Sequence, residues 1–313
     1  MPSVLVTGAS GLLGRAALAA FEAAGWVATG SAWHRVAAPL VAIDLCDATA
    51  VRAALTAKYD LVVNCAAERH PDVCESEPRT SAAINVDAVW ELAKACAAHS
   101  TRLIHISTDY LFDGTRAPYT EDAPTCPPNE YGRQKLRGEW AARAALEGAV
   151  VLRLPVLYGP TTDLSESAVT AFAAVALNAG KPATVDDWQI RVPTYTPDVA
   201  ATLVRIGTAL TTATSTSIPS GVYNYSSDDR ITRYGLVQLF AELLGVPLAH
   251  VTRNPGAPPG APRPYDCQLS TTKLKSALGP DGESLFAPTT PLVEGLRSVL
   301  LAVHPGKAGA AGT

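Results

Sequence analysis

Short apolar runs alternate with helix-length amphipathic stretches through the first half of the chain. The runs over residues 4–7, 27–31, 40–43, 61–65, 103–107 and 150–154 are rich in Val, Leu and Ile and bounded by turn or cap residues, which predicts strands. Between them, patterns of helical period predict helices over 12–24, 48–58, 80–99 and 129–145. Strands that alternate with helices this regularly need right-handed crossovers, which predicts a doubly wound α/β domain with a parallel sheet covered on both faces.

Past residue 160 the rhythm changes. The pattern predicts a helix over 165–179, strand-like pieces over 190–193 and 222–225, and a second helix over 233–244. The Thr/Ser stretch 208–217 reads as a polar loop or frayed helix end. Residues 254–264, with five prolines and two glycines, read as an irregular loop. The expected organisation is a Rossmann-type cofactor domain over 1–160, a smaller substrate or partner lobe over 161–303 interleaved with the last sheet strands, and a disordered tail over 304–313.

The 313 residues carry 29 acidic and 25 basic side chains, a net charge of −4, with 48% hydrophobic and 17% charged residues. That is the composition of a globular protein with a sizeable core, and the absence of a basic cluster argues against a nucleic-acid partner. Six cysteines stand widely spaced without a CxxC pair or a histidine at zinc-finger spacing, so reduced thiols and no metal site are expected. No basic segment precedes a long apolar run at the start, and nowhere do about 18 apolar residues run uninterrupted. A cytoplasmic protein without signal peptide or membrane span is the expectation.

Chemistry enters at VLVTGASGLLG (4–14), where Gly8, Gly11 and Gly14 fall between the first strand and the first helix. Such glycines allow a tight turn, a backbone surface that a pyrophosphate can approach, and close packing of helix on strand, while the helix N-terminus presents free N–H groups to phosphate. Following a strand and opening a helix within a βαβ series, the triplet points to dinucleotide binding. The end of the second strand decides which dinucleotide. It reads Ser31, Ala32, Trp33, His34, Arg35, without the acid that would bond an NAD ribose. Arg35 suits a 2′-phosphate and Trp33 an adenine face, which favours NADP over NAD. Asp44 and Leu45, after the third strand, are expected to face the adenine.

STDYLFDG (107–114) follows the fifth strand, and YGRQK (131–135) opens a helix some way on. Tyr131 and Lys135 are one helical turn apart on one face. Reduction of a carbonyl by a nicotinamide needs a proton donor where negative charge develops. A phenol near an ammonium meets that need, because the cation favours the phenolate, and the Thr108 hydroxyl is placed to bind the substrate oxygen.

With these motifs the chain resembles the extended short-chain dehydrogenase/reductases from residue 4 to about 301, and within them the dTDP-4-dehydrorhamnose reductase family. The resemblance implies a seven-stranded sheet and an RmlD-like substrate lobe. It also implies cofactor contacts from Gly8, Ser10, Gly11, Leu12, Leu13 and Gly14 at the pyrophosphate, Trp33, His34 and Arg35 at the 2′-phosphate, and Asp44 and Leu45 at the adenine. Cys65 and Arg69 are implied beside the middle of the cofactor, and Tyr131, Lys135 and Leu157 about the nicotinamide ribose and ring.

Two branches fit. The first is an NADPH-dependent reductase of a 4-keto-6-deoxy sugar nucleotide, to which ESEP (75–78), STDYLFDG and YGRQKLRGE (131–139) are similar; Thr108, Tyr131 and Lys135 would be its catalytic residues. The second is the regulatory β subunit of methionine adenosyltransferase, whose partner is the catalytic subunit of S-adenosylmethionine synthesis. CAAERHPDVCESEP (65–78), NVDA (85–88), LRLPVLYG (152–159), ESAVT (166–170), DDWQIRVPT (186–194) and RPYDCQLSTTKL (263–274) resemble this branch. Pro155 and Val156 also stand where the sugar reductase is expected to carry a Trp. The regulatory branch is therefore favoured, with the reductase as the alternative and an NADP-binding redox sensor as a third reading. The N-terminal extension and basic, aromatic C-terminal tail implied by the regulatory branch are not matched, so a partner is expected to be held by the folded body.

Overall fold

A computed structural model describes residues 1–212, 220–257 and 259–303. In chain order the elements of the first half are β1 (Ser3–Thr7), α1 (Leu12–Ala23), β2 (Val27–Ala32), β3 (Val41–Ala42), α2 (Ala48–Leu55), β4 (Leu61–Asn64), α3 (Pro71–Ser76), α4 (Pro78–Ala82), α5 (Ala88–His99), β5 (Arg102–Thr108), α6 (Glu130–Ala145) and β6 (Val150–Leu154). The second half contributes β7 (Leu157–Tyr158), α7 (Phe172–Leu177), β8 (Ala183–Asp186), β9 (Thr194–Tyr195), α8 (Thr196–Thr211), β10 (Gly221–Asn224), α9 (Arg233–Leu244), β11 (Val251–Asn254), α10 (Thr272–Ser276) and α11 (Leu292–Val303).

Seven strands form one sheet in the order β10-β6-β5-β4-β1-β2-β3, and every pairing in it is parallel. The doubly wound sheet is thus as the alternating pattern predicts. Strands β4 and β6 are buried at every position, which is why they read as continuous apolar runs instead of alternating ones. One face is covered by α1 and α8, whose Ala17, Phe21, Val199, Leu203 and Ile206 pack on Val4, Val6, Val63 and Leu152. On the other face Val51 and Leu55 of α2, Val89, Leu92 and Cys96 of α5, and Ala142 of α6 meet Leu5, Val62 and Leu103. A third core joins α7, α9 and α11 through Ala173, Phe240, Leu296 and Val299 beside the two-stranded β8/β11 sheet.

Several expectations change. The helix expected over 165–179 is a 3-10 turn at Leu164–Glu166 followed by the short α7, because Ser167 Oγ accepts the Val169 amide while donating to the Leu157 carbonyl, and this turns the chain. The strand expected over 190–193 reduces to two isolated bridges, Ile190 with Asp266 and Arg191 with Ile231. Helix α8 continues through Thr211 into the expected polar stretch, whose residues 213–217 lie outside the described ones. The helix expected over 80–99 is interrupted by a π turn at Ala83–Asp87. The expected tail, 304–313, also lies outside the described residues.

Candidate functional site

A cleft of about 890 Å³ runs along the carboxyl ends of the central strands, lined by residues from both halves of the chain. This is where ligands bind in open α/β sheets. Its floor at one end is the turn after β1. Gly8 adopts φ +66°, and a Cβ there would stand 2.8 Å from the Ala66 amide nitrogen. A Cβ on Gly14 would lie 2.3 Å from the Gly8 carbonyl oxygen, so α1 can approach β1 this closely only with glycine. Gly11 is the N-cap of α1, no side chain caps that end, and the first turn therefore faces the cleft with backbone donors. A dinucleotide pyrophosphate fits this cradle by shape and polarity.

Each residue singled out from the sequence lines this cleft: Gly8 and Ser10 through Gly14 in the turn, Trp33, His34 and Arg35 after β2, Asp44 and Leu45 after β3, Cys65 and Arg69 after β4, Thr108, Tyr131 and Lys135 at its middle, and Leu157 on β7. Ser10 Oγ donates to the His34 carbonyl at 3.3 Å, which joins the glycine turn to the loop after β2. Trp33 and Arg35 are exposed, and Arg35 holds a left-handed φ of 55°. Burial pushes the Cys65 thiol up to about 12, which disfavours its thiolate. The Arg69 guanidinium donates to the Glu166 carbonyl at 2.9 Å.

At the middle of the cleft, Asn129 caps α6 by accepting from the Gly132 amide at 2.9 Å, and Tyr131 and Lys135 follow on its first turns. Lys135 is almost fully buried, and its Nζ donates to the Ile106 carbonyl at 2.7 Å. It also lies 3.4 Å from Nε2 of His105, whose ring contacts Asn64, which in turn accepts from Thr7. Burial lowers Lys135 to about 8 and drives His105 well below its ordinary value, so the ring is neutral. The sequence expectation was that Lys135 would lower the Tyr131 pKa. Burial instead raises it, partly offset by the neighbouring Thr108 hydroxyl.

The sequence reading missed the other end of the cleft. Arg191, Arg233 and Arg263 line it together, drawn from segments far apart in the chain. Arg191 donates to the Tyr110 hydroxyl at 2.6 Å, and Arg263 pairs with Asp72 at 2.8 Å. The Arg233 guanidinium stands 3.9 Å from Asp186, beyond hydrogen-bond reach, and is pulled down to about 10 by burial and by the Arg191 and Arg263 charges. Beside them Asp109, buried and hydrogen-bonded by Thr108, is raised to about 7 by burial. No local signature marks any of these residues. Only the motifs at 107–114, 186–194 and 263–274 bring three of the four into view.

Comparison with known proteins agrees with this architecture. The chain is 40% identical over 275 residues to methionine adenosyltransferase 2 subunit beta of Xenopus tropicalis, covering 87% of this chain and 81% of that protein. It is 37% identical over 276 residues to the same subunit of Danio rerio, covering 87% and 84%. The fold matches the structure of dTDP-4-dehydrorhamnose reductase from Bacillus anthracis in complex with NADP, with a TM-score of 0.77, 22% identity, and 96% and 98% of the two chains covered. Residues 2–284 match the RmlD substrate binding domain, and with a match over most of its length the chain belongs to that family.

Proposed function

We propose that this protein is an NADP-binding, reductase-like regulatory subunit of methionine adenosyltransferase, active in the cytoplasm on S-adenosylmethionine synthesis. The observation that carries the reading is the 40% identity to a methionine adenosyltransferase 2 subunit beta across most of both chains. The cleft supports the cofactor. Its glycine turn suits a pyrophosphate, and Arg35, at a strand end without a carboxylate, suits a 2′-phosphate. In this reading residues 1–160 hold the cofactor, the lobe over 161–303 faces the partner, and Tyr131 and Lys135 serve to hold the nicotinamide ribose.

The alternative is reduction of a 4-keto-6-deoxy sugar nucleotide, and two features favour it. Thr108, Tyr131 and Lys135 all line the cleft, and the Arg191, Arg233 and Arg263 cluster suits an anionic substrate. Bound NADPH would supply a hydride. Tyr131 would then give its proton to the carbonyl oxygen, Thr108 would hold that oxygen, and Lys135 would stabilise the phenolate left behind.

Co-purification with a methionine adenosyltransferase catalytic subunit, with altered methionine kinetics, is the expected result. Failure to bind that subunit with NADP present would sink the regulatory reading. Oxidation of NADPH on adding a 4-keto sugar nucleotide, abolished by Tyr131→Phe, would establish the alternative.

A further inference from the structure

Glu166 sits on the 3-10 turn after β7 and reaches back across the cleft to the cofactor-binding half of the chain. Its carboxylate accepts from both Nη atoms of Arg15 at 2.9 and 2.6 Å and from Thr161 Oγ1 at 2.9 Å. The Arg35 guanidinium lies 3.6 Å away, within ion-pair range but beyond a hydrogen bond. Arg69 donates to the Glu166 backbone carbonyl. Three arginines thus converge on one residue, whose side chain is largely buried and whose carboxyl is held below the usual range, chiefly by Arg15. Arg35 reaches this position from a left-handed backbone and is itself exposed, so its fork retains an open side.

We infer that Glu166 is a specificity-determining residue: an internal carboxylate that competes with the dinucleotide 2′-phosphate for Arg35 and moderates the preference for NADP over NAD. The inference rests on the NADP reading above. A 2′-phosphate held by Arg35 would share that guanidinium with Glu166, and like charges on one partner repel. NAD brings no charge to this point and does not meet the repulsion. Arg15 sets the strength of the effect, because its two hydrogen bonds hold Glu166 and set a positive charge against it.

The test is titration of the full-length protein with NADP, NAD and adenosine 2′,5′-bisphosphate, with thermal melting to verify folding. Glu166→Gln keeps an acceptor for Arg15 and removes the charge. It is expected to tighten NADP and the bisphosphate about fivefold, with NAD changing less than about twofold. Arg15→Met moves the opposite way: Glu166, losing its main partner, turns its full charge on Arg35, and NADP weakens about fivefold while NAD is little affected. In the Glu166→Gln background, Arg15→Met is expected to do little. Equal changes for NADP and NAD, or the same loss from Arg15→Met in both backgrounds, would overturn the inference while leaving the NADP reading intact. Wild-type protein that binds neither dinucleotide overturns both.

Discussion

The Lys135 ammonium donates to the Ile106 carbonyl across 2.7 Å, which ties helix α6 to the end of strand β5 from inside the protein. This contact positions the lysine under the cleft before any ligand arrives. It also makes the group a reporter of folding, because its pKa, lowered to about 8 by burial, lies below the 10.5 of an unperturbed lysine.

Between those two values the unfolded chain binds a proton that the native protein does not, so Lys135 makes stability rise with pH from about 8 to 10.5. The slope from this group is at most about 1.4 kcal/mol per pH unit. The buried thiols Cys65, Cys74 and Cys96, pushed up from 9.0, pull the other way above about pH 9, so the test is the difference: in urea, the stability of the wild type relative to Lys135→Met is expected to increase as pH rises from 7.5 to 10.5. A variant that retains the wild-type slope would place the effect elsewhere.

Asp109 has the opposite sign. Burial raises it to about 7, so between about 4 and 7 the native state holds a proton that the unfolded chain has released, and its contribution to stability falls as pH rises. Asp109→Asn is expected to stabilise the protein by about 2 kcal/mol at pH 7.5 and to leave it unchanged near pH 4, as measured by denaturant midpoints at the two pH values.

Much of the sheet and half of the cleft were legible because they rest on local rules. Buried parallel strands read as apolar runs, and the turn over 8–14 needs glycine for reasons visible in its own backbone. Part of what was missed depends on distant contacts. Helix α8 did carry a signal: Pro197 in its first turn and Val199, Leu203 and Ile206 at helical spacing, obscured by its threonines. The segment 165–179 scores as helix by composition, yet it is bent away because Ser167 and Glu166 find partners on β7 and α1. The three arginines at the far end share no local pattern, since only the packing of the second half onto the sheet brings them together.

Close packing at two glycines predicts different losses. A Cβ at Gly14 would strike the Gly8 carbonyl at 2.3 Å, and one at Gly138 would strike the Asn85 carbonyl, on the π turn, at 2.5 Å. Backbone is the obstacle in both cases, so each Gly→Ala change is expected to cost about 1–3 kcal/mol in chemical denaturation. Gly14→Ala should also abolish dinucleotide binding, because it displaces the turn beneath the phosphates. Gly138→Ala lies away from that turn and should retain binding at temperatures where it is folded. Loss of binding in both folded variants would contradict the placement of the phosphates.

Behind Lys135 on the same helix, Glu139 pairs with Arg153 of β6 through two hydrogen bonds of 2.9 and 2.8 Å, with both side chains nearly inaccessible. Arg153 also donates to the Glu121 carbonyl at 3.0 Å, and Glu121 accepts the Asn224 amide on the edge strand β10. Removing one charge of a buried pair leaves the other uncompensated, so Glu139→Gln is expected to destabilise by about 3 kcal/mol. Because the Glu139 charge raises the Lys135 pKa, its loss should also move the onset of the Lys135 slope below pH 8. Urea titrations of Glu139→Gln across pH 6.5 to 10.5 read both effects. Destabilisation without that shift would show that the carboxylate acts on Arg153 alone.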